Sequence, residues 1–302
     1  MTRRIMLLGI VFALGCGTAH AQLANKPSDS IAALNCDFSH PTCNGALLDV
    51  YNGSGTLASP PSAGTITVQS DAGAPWSPTS VMQSRRFANT PAGGAQLEYW
   101  GIPQGAKEIY VEMAWKPSDP FEGKVHGNNK MFFVRGKQPG TNGVFMYKKP
   151  QSTNPATSGI IIWTTQLANN LNQCFGAPDL DYCHPNVTTT PIFPGQWYRI
   201  SARIMASTCP TCRDGRVRWW VNDILNGDYS NFAYGPSADF WLWAETWDGS
   251  GPVNEWVTDA NHRLDHLHIS YCMTGCAESG GGGGPDTTPP GRATGLTITQ
   301  LN

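Results

Sequence analysis

Four short stretches of this 302-residue chain concentrate side chains able to move a proton or hold an anion. His126, Asn128, Asn129 and Lys130 gather at the start of one expected strand, and Tyr147 with Lys148 ends the next. Arg199 and Arg203 share a face of a further strand, and His266 and His268 share a face of the last. Cations and amides of this kind neutralise a carboxylate, while a Tyr, His or Lys takes the adjacent proton and an acid protonates the departing oxygen. That combination would carry out a β-elimination. In such a site Lys130, Tyr147, His126 and His266 are the expected catalytic groups, and Asn128, Asn129, Arg199, Arg203 and His268 the expected substrate contacts. Each also has a plain structural role open to it: Lys130 can end a turn, Tyr147 can lie on an outer surface, and the arginines can be solvated.

Paired carboxylates are less well placed. Hydrolysis of a glycosidic bond needs two acids ~5–9.5 Å apart. Glu245 and Asp248 stand three apart, on opposite faces of a regular strand, and Glu108 and Glu112 share a face but lie ~13 Å apart. A hydrolase would have to draw its acids from different strands. His266 and His268, with His262 or Asp265, could also form a metal set, but histidines alternating along a strand are more often hydrogen-bonded structural residues, and no metal ligand is assigned.

The elements that must position these groups are strands. Between about Asn35 and Tyr271 short β-rich runs alternate with Gly, Pro, Asn and Asp clusters, and no helical period persists for three turns. Glu108–Lys116 is the clearest strand, with Ile109, Val111, Met113 and Trp115 on one face and Glu108, Tyr110, Glu112 and Lys116 on the other, as expected of a sheet with one buried face. Similar runs occupy 46–51, 80–87, 95–100, 130–135, 143–148, 159–165, 197–206, 216–225, 240–247 and 262–271. Eleven strands without helices imply antiparallel sheets packed face to face. In 216–221 the alternation puts Trp219 and Trp220 on opposite faces, so only one of them can meet a ligand there. The long connection 166–194 exceeds an ordinary turn and could cover a groove.

Composition sets the outer limits. A net charge of −2, with 14% charged residues and no long like-charge run, excludes a nucleic-acid binder, and the aromatic content excludes a disordered chain. Arg3 and Arg4, the apolar run Ile5–Leu14, and Ala19 and Ala21 before Gln22 have the layout of a cleavable signal, so residues 1–21 are set aside and the protein is expected to be secreted or periplasmic. Cys16 after Gly15 suggests a lipoprotein, against which Ala13 stands where a lipobox has Leu. No later stretch reaches eighteen apolar residues, so no membrane insertion is expected. Eight further cysteines fall into close pairs, Cys36 with Cys43, Cys174 with Cys183, Cys209 with Cys212 and Cys272 with Cys276, which in an oxidising compartment reads as disulfide-stapled loops. The alternative joins Cys209, Cys212, Cys272 and Cys276 in a zinc site.

Several phrases occur in a telling order: Tyr110–Pro120 (YVEMAWKPSDP), Gly127–Phe133 (GNNKMFF), Gly195–Arg199 (GQWYR), Asp214–Asp223 (DGRVRWWVND) with Gly227–Tyr229 (GDY), and Asp265–Ser270 (DHLHIS). Over about Asp37 to Tyr271 the chain resembles the concanavalin A-like jelly-roll superfamily, and within it secreted bacterial polysaccharide lyase-like domains of the alginate and glucuronan lyase type. The resemblance implies an all-β antiparallel β-sandwich over 22–279 whose concave sheet holds a glycan. It implies a polysaccharide as partner, and Lys130 and Tyr147 as the closest matches to the lysine and tyrosines of those lyases. Sugar rings stack on aromatic faces, and Trp100, Trp219, Trp220, Trp243, Trp247 and Trp256 are the candidate platforms, of which Trp220 and Trp247 are expected to bind substrate and most others to be core. A structural calcium, common in jelly rolls, is the one cofactor left open, although no EF-hand loop is present. Residues 280–302 read as a Gly/Pro linker followed by a stub like the opening strand of a fibronectin type III module. Three functions stay open at this level: a lyase acting on uronate-containing chains, a non-catalytic carbohydrate-binding or adhesion module, and a hydrolase with acids from different strands. The oligomeric state is not readable.

Overall fold

The computed structural model describes residues 23–50, 64–86, 96–119, 130–136, 143–150, 159–167, 183–209, 212–232, 235, 237–243 and 260–277. Among these residues there are fourteen strands and no helix. The larger sheet has eight strands: β12 (Ile224–Phe232), β11 (Gly215–Val221), β10 (Tyr198–Met205), β6 (Glu108–Lys116), β14 (Ala260–Cys272), β4 (Val81–Arg86) and β3 (Gly64–Gln69) in that order, with β1 (Ile31–Cys36) also on β14. The smaller has six: β2 (Leu48–Val50), β5 (Gln96–Tyr99), β13 (Phe240–Trp243), β7 (Lys130–Arg135), β8 (Gly143–Pro150) and β9 (Ile160–Leu167). Every pairing is antiparallel.

The two sheets share one core. Val111, Met113, Trp115, Ile200, Val217 and Trp219 of the eight-stranded sheet meet Leu97, Phe132, Val134, Trp241 and Trp243 of the six-stranded sheet. Each large apolar side chain buried there contributes roughly 1.5–3 kcal/mol against the entropy of ordering the chain. Trp219 spans the layers, its indole N–H donating to the carbonyl of Ile162 at 3.2 Å. Its ring lies over Gly227, its register partner, where an added Cβ would fall 1.9 Å from the ring, so only glycine fits.

Three expectations are corrected. The run 216–225 is two strands: Asn222 and Asp223 take positive φ (49° and 64°) and turn β11 into β12. Positive φ at both central residues is the type I′ hairpin geometry, which Asn-Asp tolerates. β1 and β3 were not expected. Finally, β6 is buried on both faces along its length, Lys116 alone being half-buried, because the chain's own N-terminal segment lies across its polar side. Asn25 donates to Ser201 and Asp223, and Ser30 donates to Ser270.

The close cysteine pairs are disulfides at Cys36–Cys43, Cys209–Cys212 and Cys272–Cys276. Cys183 is also disulfide-bonded, and its backbone pairs with Thr164, holding the end of the 166–194 connection against β9. Bonded in pairs, Cys209, Cys212, Cys272 and Cys276 supply no thiolates for a zinc site. The proposed leader, the 280–302 tail and Cys174 lie outside the described residues.

Candidate functional site

A sandwich offers two outward faces, and alternation along each strand fixes which side chains reach them. On the six-stranded sheet Leu97 and Tyr99, Phe132 and Val134, and Trp241 and Trp243 point into the core. Glu98, Trp100, Phe133, Arg135 and Phe240 therefore belong to the other side. A bulge between Lys130 and Phe132 brings Lys130 to this side too, with Met131 and Phe132 both in the core. The contacts agree: the Lys130 ammonium lies 5.9 Å from the centre of the Phe133 ring and the Arg135 guanidinium 5.7 Å from it. Phe133 is thus bracketed along β7 by two cations. Two strands over, beside β5, Trp100 stacks on Phe240, with centroids 4.3 Å apart and planes 7° from parallel, and its indole N–H donates to Glu98 at 2.9 Å. In the backbone ladder Lys130 stands opposite Tyr147, which stands opposite Trp163.

The outward face of the eight-stranded sheet has a different character. Glu108, Tyr110 and Glu112 of β6 lie beside Arg203 and Ser201 of β10 and His268 and Ser270 of β14, all buried. Arg203 donates to Glu108 at 2.5 Å, and Glu108 also accepts from the Cys276 N–H at 2.9 Å. Tyr110 donates to Glu112. Burial raises the Glu112 carboxyl against that hydrogen bond, and burial, with the nearby Glu112 charge, pushes the Tyr110 phenol above its ordinary value. His268 donates from Nδ1 to the Asn35 side-chain oxygen, and burial, with Lys26 and His266 nearby, lowers it to about 4, so the ring is neutral at neutral pH. Further along, Asp71 accepts from Lys116 at 2.9 Å and Arg263 at 2.6 Å, and Asp265 accepts from the Trp76 and Ser77 N–H groups. These groups hold one another and the covering chain.

The residues expected to act together therefore divide. Lys130 and Tyr147 are in the six-stranded sheet; Arg199, Arg203, Trp220, His266 and His268 are in the eight-stranded one. Arg199 pairs with Asp223 beside the β11–β12 turn, and Arg203 with Glu108. Trp220 is 9% exposed with Arg218 against its ring, and His266 occupies a β14 bulge with its ring edge-on to Trp76. Two sheets packed ~10 Å apart separate the two outward faces, so these groups and Lys130 do not share one groove. His126, Asn128, Asn129 and Trp247 lie outside the described residues. Sequence reasoning passed over Arg135, Phe133 and Glu98. The signal for them is the parity of β7 and β5, which a single bulge at Met131 disguises.

No family model matches the sequence, and no curated protein matches it. Solved structures do. The marine PL-14 alginate lyase from Aplysia kurodai superposes with a TM-score of 0.52 at 8% identity, covering 79% of this chain and 98% of that one. Alginate lyase vAL-1 from Chlorella virus superposes with a TM-score of 0.50 at 13% identity, covering 80% and 100%. At such identities the likeness speaks for the architecture, and the architecture is an all-β, antiparallel jelly-roll sandwich.

Proposed function

We propose that this protein is exported and binds a uronate-containing polysaccharide along the outward face of the six-stranded sheet, where it cleaves the chain by β-elimination. The observation that carries the reading is the backbone register pairing of Lys130 with Tyr147 on adjacent strands, in the sheet where Arg135 adds a second cation. A chain with repeated carboxylates needs repeated positive charge along its path, and Lys130 and Arg135 at the two ends of β7 supply it. At the reacting sugar the Lys130 ammonium offsets the carboxylate charge, which acidifies the proton on the adjacent carbon. The Tyr147 phenolate takes that proton, the electron pair forms the new carbon–carbon double bond, and the bond to the glycosidic oxygen breaks. Tyr147 then returns the proton to the leaving oxygen, so the phenolate is regenerated. The jelly-roll neighbours named as alginate lyases support alginate as the first substrate to try. Disulfides across three loops support export, since they persist in oxidising compartments.

The test is mass analysis of products after incubating the oxidised protein with alginate, glucuronan, pectate, hyaluronan and neutral glucans. Unsaturated oligosaccharides that disappear with Lys130→Ala and Tyr147→Phe, while binding of the polymer persists, are the expected result. Saturated products would replace elimination with hydrolysis. Intact polymer in every case would overturn the lyase reading and leave a binding module.

A further inference from the structure

Trp100 is the most exposed tryptophan among the described residues, at 42%, whereas Trp115, Trp219, Trp241 and Trp243 are fully buried. Its position is nevertheless fixed. The ring is stacked on Phe240, itself 7% exposed, and the indole N–H is held by Glu98. An exposed indole locked at two points has little rotamer freedom left to lose on binding, and its aromatic face suits the C–H face of a pyranose ring. We infer that Trp100, with Phe240 behind it and Glu98 holding its edge, is a sugar-stacking subsite at the end of β5 in the six-stranded sheet. The inference rests on the glycan reading above and deepens it by fixing how much of the chain is engaged.

Its distance from Lys130 follows from the ladder. Tyr99 pairs with Trp241 and Phe240 pairs with Arg135, so Trp100, Phe240 and Arg135 follow one row across the sheet. Lys130 lies at the other end of β7, five residues from Arg135. Two strand spacings across and five residues along place Trp100 and Lys130 ~20 Å apart. A disaccharide cannot touch both, whereas a chain of several sugars crossing the sheet obliquely passes Arg135 on the way. The subsite therefore rewards long chains, and stacking is indifferent to the carboxylate, so it positions the polymer while the cations select its charge.

The experiment measures affinity of the full-length protein, and of Trp100→Ala and Trp100→Phe, for a ladder of alginate oligosaccharides from disaccharide upward by calorimetry, with thermal unfolding of each variant alongside. For Trp100→Ala the expected result is about a tenfold loss of affinity for the long oligosaccharides and none for the shortest, with Trp100→Phe retaining most of the long-chain affinity. A Trp100→Ala loss that is equal at every length, or no loss at any length, overturns the subsite while leaving the glycan reading in place. Wild-type protein that binds no oligosaccharide overturns both.

Discussion

Asp71 offers a quantitative test of how the eight-stranded sheet is held, because its charge does measurable work. It lies 9% exposed just beyond β3, accepting hydrogen bonds from Lys116 at 2.9 Å, Arg263 at 2.6 Å and the Gly73 N–H at 3.0 Å. Burial alone would raise its carboxyl, but those donors outweigh burial and hold it at about 2 against an ordinary 3.8. Between these values the unfolded chain binds the proton and the folded protein does not. The stability contributed by the ionised group is thus present above the unfolded value and lost as pH falls through the folded one. The difference converts to about 2.5 kcal/mol. Lys116 and Arg263 are 22% and 31% exposed, and solvent screening brings the measurable share to about 1–2 kcal/mol. Urea unfolding of wild type and Asp71→Asn across the acid range gives this directly, since Asn is the shape of a permanently neutral carboxyl. The expected gap is about 1–2 kcal/mol near neutrality and closes toward pH ~2. A gap of the same size at both ends would refute the electrostatic reasoning, and no gap near neutrality would refute the importance of the cluster.

Two further outcomes follow from the same face. Glu108→Gln strands Arg203, 4% exposed at its side chain, without its carboxylate, and should cost about 3–5 kcal/mol in denaturant unfolding; a loss below about 1 kcal/mol would show that other acceptors suffice. His268, lowered to about 4, should keep its neutral-ring NMR shifts from neutral pH down to about 5, and the His268→Gln protein should lose less stability than wild type as pH falls from the ordinary histidine value of 6.5 toward 4. The direction follows because the folded ring resists a proton that the unfolded ring accepts.

Much of the fold was readable because strand periodicity is a local property. Glu108–Lys116 and Lys130–Arg135 have the expected ends, residue for residue. Most of what escaped was non-local, apart from one turn. The turn at Asn222 and Asp223 carries no glycine, so β11 and β12 read as one run. The covering of the polar side beside β6 depends on residues 25–30, which bond to Ser201 and Ser270 and stand about eighty residues earlier in the chain than β6. Alternation says that Arg199 and Arg203 share a face, and they do, but it cannot say that this face turns away from the one carrying Lys130. Lys130 itself reaches that side only through the extra residue at Met131.

The same packing gives a reason for the two sheets to differ in use. A glycan-binding face must keep hydrogen-bonding and charged groups available to a ligand that arrives from water, and such groups cannot already be consumed by the fold. On the eight-stranded sheet many are engaged by the fold: Arg203 by Glu108, Glu112 through one oxygen by Tyr110, Asp265 by the Trp76 and Ser77 N–H groups, and Ser201 and Ser270 by the N-terminal segment. A polymer binding there would have to displace part of the chain and break charge-assisted hydrogen bonds worth about 1.5–3 kcal/mol each. On the six-stranded sheet the outward cations of β7, Lys130 and Arg135, are half-buried and lie beside the fully buried Phe133 ring. Because these cations keep part of their surface in solvent, the six-stranded sheet is the face on which a carboxylated chain can meet positive charge without displacing residues 25–30.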